Sequence, residues 1–380
     1  MPSTASRPAH APAPPPGRRS LFSRIGLGCM LFLLGACRTA LPPAAPLEHI
    51  RVPEGRREFT RATSGRTFIP WGFNYDHDHQ MRLLEDYWET EWETVVADFH
   101  EMKQLGANVV RIHLQLARFM DSPEKANQAS LQQLTRLLQL AERTGLYLDL
   151  TGLASYRKAD TPKWYDAMDE SERWRTQAKF WELIAATGAD SPSVFCYDLM
   201  NEPFVPTQPR APGDWLAGHL GGFYYVQALT LTPAGRTPPQ VARAWVEQMV
   251  RAIRQHDQRH LITLGMLPNS GRALVEAVSP HLDFISVHEY PRSGRVEESL
   301  GRLKQFDAGK PLLIEELFPL TCTAPELHEF IKRSSPPASG WIGFYWGQTP
   351  EELQQIEGLP AAITRAWLQL FQAANPNRNR

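Results

Sequence analysis

The sequence predicts a (β/α)8 barrel, and three observations predict it. Eight short β-type runs lie between residues 66 and 374, longer stretches of helical spacing separate them, and polar residues collect at the C-terminal ends of the runs. Strands that alternate with helices form parallel βα units, and eight units of this length match one closed barrel. No fixed-period side-chain repeat accompanies them, which excludes a solenoid.

The runs in chain order are TFIPWGFNY (67–75), ANVVRIHL (107–114), LYLDLTGL (146–153) and VFCYDLMNE (194–202), then HLITLGM (260–266), LDFISVHEY (282–290), PLLIEE (311–316) and WIGFYWG (341–347). Each is rich in β-branched, aliphatic or aromatic residues, as strands are. Between them, WETVVADFHEMKQLG, SLQQLTRLLQLAERTG and PPQVARAWVEQMVRAIRQH carry apolar residues at helical spacing, and several such segments stop at glycine.

With 380 residues, 42% of them hydrophobic, the chain has material for a large core. Its net charge is -1, and no Lys/Arg-rich run follows the leader, so no nucleic-acid partner is expected. The opening is unlike the rest: a basic Pro/Ala-rich stretch precedes LFSRIGLGCMLFLLGAC. That apolar segment is too short for the ~20 residues that span a bilayer and has the layout of an export signal.

Leu34-Gly35-Ala36-Cys37 resembles a bacterial lipobox, so Cys37 is the expected lipidation site. Residues 1–36 are then a signal peptide, 37–65 a lipidated tether and extension, 66–374 the barrel, and 375–380 a disordered tail. An exported monomer anchored to a membrane through lipid is expected, at the outer membrane or cell surface if the source is Gram-negative. Cys196, inside an apolar run, reads as a buried free thiol; pairing with Cys322 is open in an oxidising compartment.

In a (β/α)8 barrel the chemistry belongs at the C-terminal strand ends. There the sequence places Asn74, Arg111, His113, Asn201, Glu202, His288, Tyr290, Glu315, Glu316 and Trp346. Carboxylates on separate strands, with amide, imidazole, phenol and indole neighbours, suit glycoside cleavage. That reaction needs one carboxylic acid to protonate the departing oxygen and one carboxylate facing the anomeric carbon. A neighbouring carboxylate helps the acid keep its proton by charge repulsion.

No cofactor is expected. CxxC and HExxH spacings are missing from the sequence, DHDH at 76–79 reads as a solvated or sugar-binding loop, and in HDQRH the His256–His260 spacing fits a helix end beside its dipole. The aromatic loop with Trp215, Phe223, Tyr224 and Tyr225 either walls a cleft or packs on the barrel.

YDLMNEP resembles the strand-4 signature of glycoside hydrolase family 5, the cellulase-like branch of the retaining (β/α)8 glycosidases. GANVVRIH, VHEY, KPLLIEELF and FYW resemble further segments of that family, in its order. The resemblance implies Glu202 as acid/base and Glu316 as nucleophile. Strand alternation puts Glu315 and Glu316 on opposite faces without deciding which faces the axis; alignment of Lys310-Pro311 selects Glu316 and sends Glu315 toward the helices.

The same resemblance implies that Arg111 keeps the nucleophile ionised, Tyr290 hydrogen-bonds it, and His288 adjusts the acid/base or touches sugar. Asn201 would bind the sugar 2-OH and Trp346 would floor the subsite. A β-linked oligo- or polysaccharide of glucan or mannan type is the implied substrate. The chain departs from the pattern where LDLTGL puts Thr151 or Gly152 in place of a strand-3 His, a role His113 is expected to fill in part, and where strand 7 ends ELF. A sugar-binding protein without turnover on the same barrel is the second class these departures admit.

Overall fold

Eight parallel strands close on themselves in this computed structural model, which describes residues 46–378. They are β1 Trp71–Asn74, β2 Val109–Gln115, β3 Tyr147–Ala154, β4 Val194–Asn201, β5 Leu261–Met266, β6 Ile285–His288, β7 Leu312–Glu316 and β8 Ala338–Phe344. The main helices that follow them are α1 Trp92–Gln104, α2 Gln128–Thr144, α3 Glu170–Gly188, α4 Pro238–Arg254, α5 Arg272–Val278, α6 Val296–Leu303, α7 Ala324–Arg333 and α8 Leu359–Ala374. The predicted (β/α)8 barrel is the observed fold.

Alternation along β2 shows how the sequence builds the layers. Val110, Ile112 and Leu114 join the apolar layer against the helices, while Val109 packs inside the barrel and Arg111 and His113 continue that inner face upward. Helix α2 is set by its ends: the Asn127 side chain accepts from the Ser130 N–H, and Gly145 closes it at φ 70°. A left-handed residue of that kind is cheap only for glycine. Its Leu134, Leu137, Leu138 and Ala141 are buried on one face, each leucine contributing about 1.5–3 kcal/mol of burial.

The barrel floor is made by the extension before β1. Ile50–Arg51, Phe59–Arg61 and Thr67–Phe68 form a three-stranded antiparallel sheet, and Phe59 meets Phe195 and Phe284 edge-on at 5.4 and 5.1 Å. Residues 46–68, whose first part was expected as tether and N-terminal extension, therefore form a plug. Its side chains bury because an open barrel end would leave Phe195 and Phe284 wet.

The tail also differs from expectation. Asn375 donates to the Gly106 carbonyl and Asn377 to the Ile69 carbonyl, at 2.9 and 3.1 Å, which ties down the start of the stretch 375–380. The leader, with Cys37, lies outside the described residues. Among the described residues no helix is long and apolar enough to cross a membrane. Cys196 and Cys322 are free thiols.

Candidate active site

The barrel interior changes from apolar to charged as it rises. Above the floor sit Asp149, Thr263, Ser286 and Glu315, all fully buried. Higher come Asn74, Arg111, Thr151, Asp198 and His288, and at the top Glu202 and Glu316 face a cleft. Buried charge is tolerated only when paired, and Arg111 is the pairing centre. Its Nη1 donates to Glu316 Oε1 at 2.7 Å and Asn74 Oδ1 at 2.8 Å, and its Nη2 donates to Asp198 Oδ2 at 2.7 Å and Asn201 Oδ1 at 2.9 Å.

Glu202 ends β4 in an unusual conformation. Its φ is 47°, a value costing a non-glycine residue of order 1–3 kcal/mol, and its N–H donates to the Gly265 carbonyl at 3.0 Å. Pro203 follows, and the turn carries the Glu202 side chain over the barrel mouth. There His288 Nδ1 lies 2.9 Å from Glu202 Oε1 and 3.2 Å from Glu316 Oε2. Oxygens of the two carboxylates come within 4.8 Å of each other. Tyr290 donates to Glu316 Oε2 at 2.6 Å.

Burial opposes a charge on His288, yet the Glu316 carboxylate and hydrogen bonds with Glu202 and Glu315 outweigh it and raise its pKa to about 10. His288 is thus an imidazolium between the two glutamates. Below it, burial and the neighbouring Glu315 charge push Asp149 well above the carboxylate range, so Asp149 holds a proton. Burial alone would raise Glu315 as well, but Arg111 and His288 bring it down and keep it ionised. Asp198 is raised by burial and by Glu315, to about 6, with Arg111 acting in the other direction.

Several expected positions hold the site together rather than line it. Asn74 donates to the carbonyls of Glu315 and Gly343, both at 2.9 Å. Asn201 is oriented from both ends: its oxygen accepts from Arg111 and its nitrogen donates to the Tyr225 carbonyl at 2.9 Å, which fixes the amide and leaves its second N–H for a further acceptor. His113 hydrogen-bonds the Tyr156 hydroxyl and is kept neutral by burial and by the Arg111 charge. Trp346 lines the cleft with Glu202, Tyr290 and Glu316.

Glu315 differs from expectation. It points into the barrel, fully buried, 3.7 Å from Arg111 Nη2 and 3.5 Å from His288 Nε2, and not toward the helices. The β6–β7 register slips between Val287 and His288, and such a bulge breaks the two-residue alternation. His260 differs too: it lies beyond α4, fully buried between Asp257 and His49, so its setting is a buried polar cluster and not a helix terminus.

Thr151, which with Gly152 stands where the resemblance expected His, donates to Asp198 Oδ2 at 2.9 Å. Sequence reasoning missed Asp149 and Asp198, although a lone Asp inside an apolar strand signals a buried partner. It also left Asp76 and His77 undecided. Both line the cleft, His77 stacks on Trp346 at 5.7 Å, and burial, joined by the Glu316 charge, raises Asp76. Asp78 instead braces its loop by accepting from Arg82.

The aromatic loop forms a hairpin, Leu216–Leu220 against Phe223–Ala228, turning on Gly221-Gly222. Both glycines have positive φ, as a two-residue turn of this hand demands. Tyr225 faces the cleft, whereas Trp215 is buried beneath Arg173. Among the described residues two groupings have metal-ligand spacing, Glu202/His288/Glu316 and Asp149/Asp198/Glu315. In each, an imidazolium or the Arg111 guanidinium already supplies the positive charge.

Across residues 72–313 the chain matches the profile of Cellulase (glycosyl hydrolase family 5). The chain belongs to glycosyl hydrolase family 5. Solved structures of similar fold include an exo-β-1,4-mannosidase from Opitutaceae bacterium strain TAV5, 16% identical, with a TM-score of 0.61 over 85% of this chain and 62% of that one. A β-1,4-mannanase from the sea hare Aplysia kurodai is 15% identical, TM-score 0.57, over 84% and 95%. A β-mannanase from the blue mussel Mytilus edulis is 15% identical, TM-score 0.56, over 88% and 98%. No curated protein sequence matches the chain. At these identities the likeness is one of fold, and the family 5 chemistry of this chain rests on its own residues.

Proposed function

We propose that this family 5 protein is a retaining hydrolase of β-glycosides whose donated sugar is a hexose of the glucan or mannan type. The observation that carries the reading is the close approach of Glu202 and Glu316, with oxygens within 4.8 Å. Retaining glycosidases hold their carboxyl groups about 5–5.5 Å apart, whereas inverting ones need about 6.5–9.5 Å to admit water.

In the first step the Glu316 carboxylate attacks the anomeric carbon and the glycosidic C–O bond breaks, while Glu202 gives its proton to the departing oxygen. In the second, Glu202 takes a proton from water, the water oxygen bonds to the anomeric carbon, and Glu316 is released. Arg111 and Tyr290 hold the two oxygens of Glu316, which fixes the attacking group before substrate arrives.

The test is hydrolysis of a panel of aryl β-glycosides, β-glucans and β-mannans by the wild type, Glu316→Ala and Glu202→Ala. Turnover by the wild type and a loss of several orders of magnitude in Glu316→Ala, with an unchanged circular dichroism spectrum, is the expected result. Full activity in Glu316→Ala contradicts it, and tight sugar binding without product across the panel favours a sugar receptor.

We also propose that the chain is exported and lipidated at Cys37, on the strength of the leader composition and the Leu34–Cys37 motif. Cys37→Ser should lose lipid labelling and shift from the membrane to the soluble fraction. Unchanged membrane association contradicts that.

A further inference from the structure

The cleft over Glu202 and Glu316 has a volume of about 300 Å3, at the small end of the ~300–1,000 Å3 typical of small-molecule sites. Its polar groups sit low: Asp76 and Glu316 are buried, and Glu202, His77, Tyr225 and Tyr290 are half-buried. The mouth is different. Every exposed residue lining the cleft is apolar or glycine: Met81, Gly218, Leu220, Gly221 and Leu320.

Among the described residues five large hydrophobics are exposed, and three of them, Met81 at 37%, Leu220 at 63% and Leu320 at 55%, stand around this opening. Solvent-exposed aliphatics scattered singly need no explanation, but a cluster at a cleft mouth marks a binding surface. A polysaccharide leaving group would present hydroxyls to this rim, and Met and Leu offer nothing to replace the water those hydroxyls would lose.

The placement also assigns the rim to the leaving side. Glu202 must face the departing oxygen, and the hairpin carrying Gly218, Leu220 and Gly221 belongs to the long loop that follows the same strand. The hairpin tip comes close to Met81 across the opening, since a Cβ on Gly221 would lie 3.2 Å from the Met81 methyl. The two thus join into one aliphatic wall, along which the leaving group passes.

Resting on the hydrolase reading above, we infer that the group beyond the scissile bond is an apolar aglycone, an alkyl or aryl substituent, and not a further sugar. The buried polar floor takes the hexose and the aliphatic mouth takes the aglycone.

The experiment separates binding from turnover. Non-hydrolysable S-linked β-glucosides and β-mannosides with methyl to octyl aglycones, and their phenyl counterpart, are titrated calorimetrically into the full chain below their micellar concentrations. The same series as O-glycosides is assayed for hydrolysis. Affinity should rise about two- to fourfold per methylene, the upper figure being full burial, and kcat/KM should rise in parallel.

Leu220→Ser with Leu320→Ser should flatten that dependence, while Leu359→Ser, exposed outside the cleft lining, should leave it intact. A gain from phenyl exceeding that from hexyl identifies an aryl aglycone, and the reverse an alkyl one. Affinity independent of chain length overturns the inference, as does tighter binding of S-linked cellobiose or mannobiose than of the octyl glycoside. Affinity that rises with chain length while no O-glycoside is cleaved supports the aglycone site and sinks the hydrolase reading instead.

Discussion

Glu315 and Glu316 are neighbours in the chain, and both carboxylates reach Arg111, at 3.7 Å from Nη2 and 2.7 Å from Nη1. Successive strand residues ordinarily face opposite ways. The slip in the β6–β7 register brings Glu316 over the rim while Glu315 stays inside. One guanidinium thereby serves a carboxylate open to the cleft and another sealed beneath it.

Arg111 should consequently be essential to folding as well as to chemistry. Arg111→Met leaves Asp198 and Glu315 buried without their cation, which costs about 3–5 kcal/mol. Arg111→Lys keeps a charge but cannot contact Glu316, Asn74, Asp198 and Asn201 at once. Urea denaturation should show a large loss for Met and an intermediate one for Lys. A Met variant as stable as the wild type contradicts the pairing described for the barrel centre.

Gly265 gives a sharper test because the change is one methyl group. A Cβ there would lie 3.0 Å from Glu315 Oε2, 3.0 Å from His288 Nε2 and 3.1 Å from Arg111 Nη2. Gly265→Ala should cost about 1–3 kcal/mol through overpacking and lower kcat about tenfold to a hundredfold by displacing His288 and Arg111. Wild-type turnover in this variant would mean that the network under the glutamates does not position them.

The histidine imposes a pH dependence whose sign is fixed. Its folded pKa, about 10, lies above the ordinary imidazole value of 6.5, so the folded chain binds a proton more tightly than the unfolded chain. This contribution to stability is fully present below about pH 6.5 and is lost as pH rises toward 10, with a slope of at most about 1.4 kcal/mol per pH unit. Denaturation midpoints measured from pH 6 to 10 should fall for the wild type more steeply than for His288→Asn. Parallel curves would show that His288 is not held charged.

How far the sequence reveals this arrangement depends on range. The strands were legible because β2 and its companions are continuous apolar runs broken by single polar residues, and α2 announces itself by Leu spacing and Gly145. Glu316, Arg111 and Tyr290 were legible as strand-end residues, and the structure brings them into mutual contact. That Glu315 and Glu316 both turn to the interior was not, because the register slip that redirects Glu316 depends on two strands pairing and leaves no mark in either one.

That residues 46–68 fold into a plug was missed for a related reason. Its strands are two or three residues long, too short for periodicity to register. Phe59 and Phe68 are buried only because the barrel end exists to receive them. Asn74 and Asn201 were legible as rim amides, but that Arg111 and backbone carbonyls would engage them was not, because those partners come from distant parts of the chain.

The central claim is that Glu316 forms a bond to the anomeric carbon and Glu202 serves the two half-reactions in turn. The most direct measurement is proton NMR of the anomeric signal during the first minutes of hydrolysis of an aryl β-glycoside, before mutarotation. The β-anomer of the free sugar should appear first, with the α-anomer growing in later. Initial appearance of the α-anomer would contradict it, because that outcome requires water, and not Glu316, at the anomeric carbon.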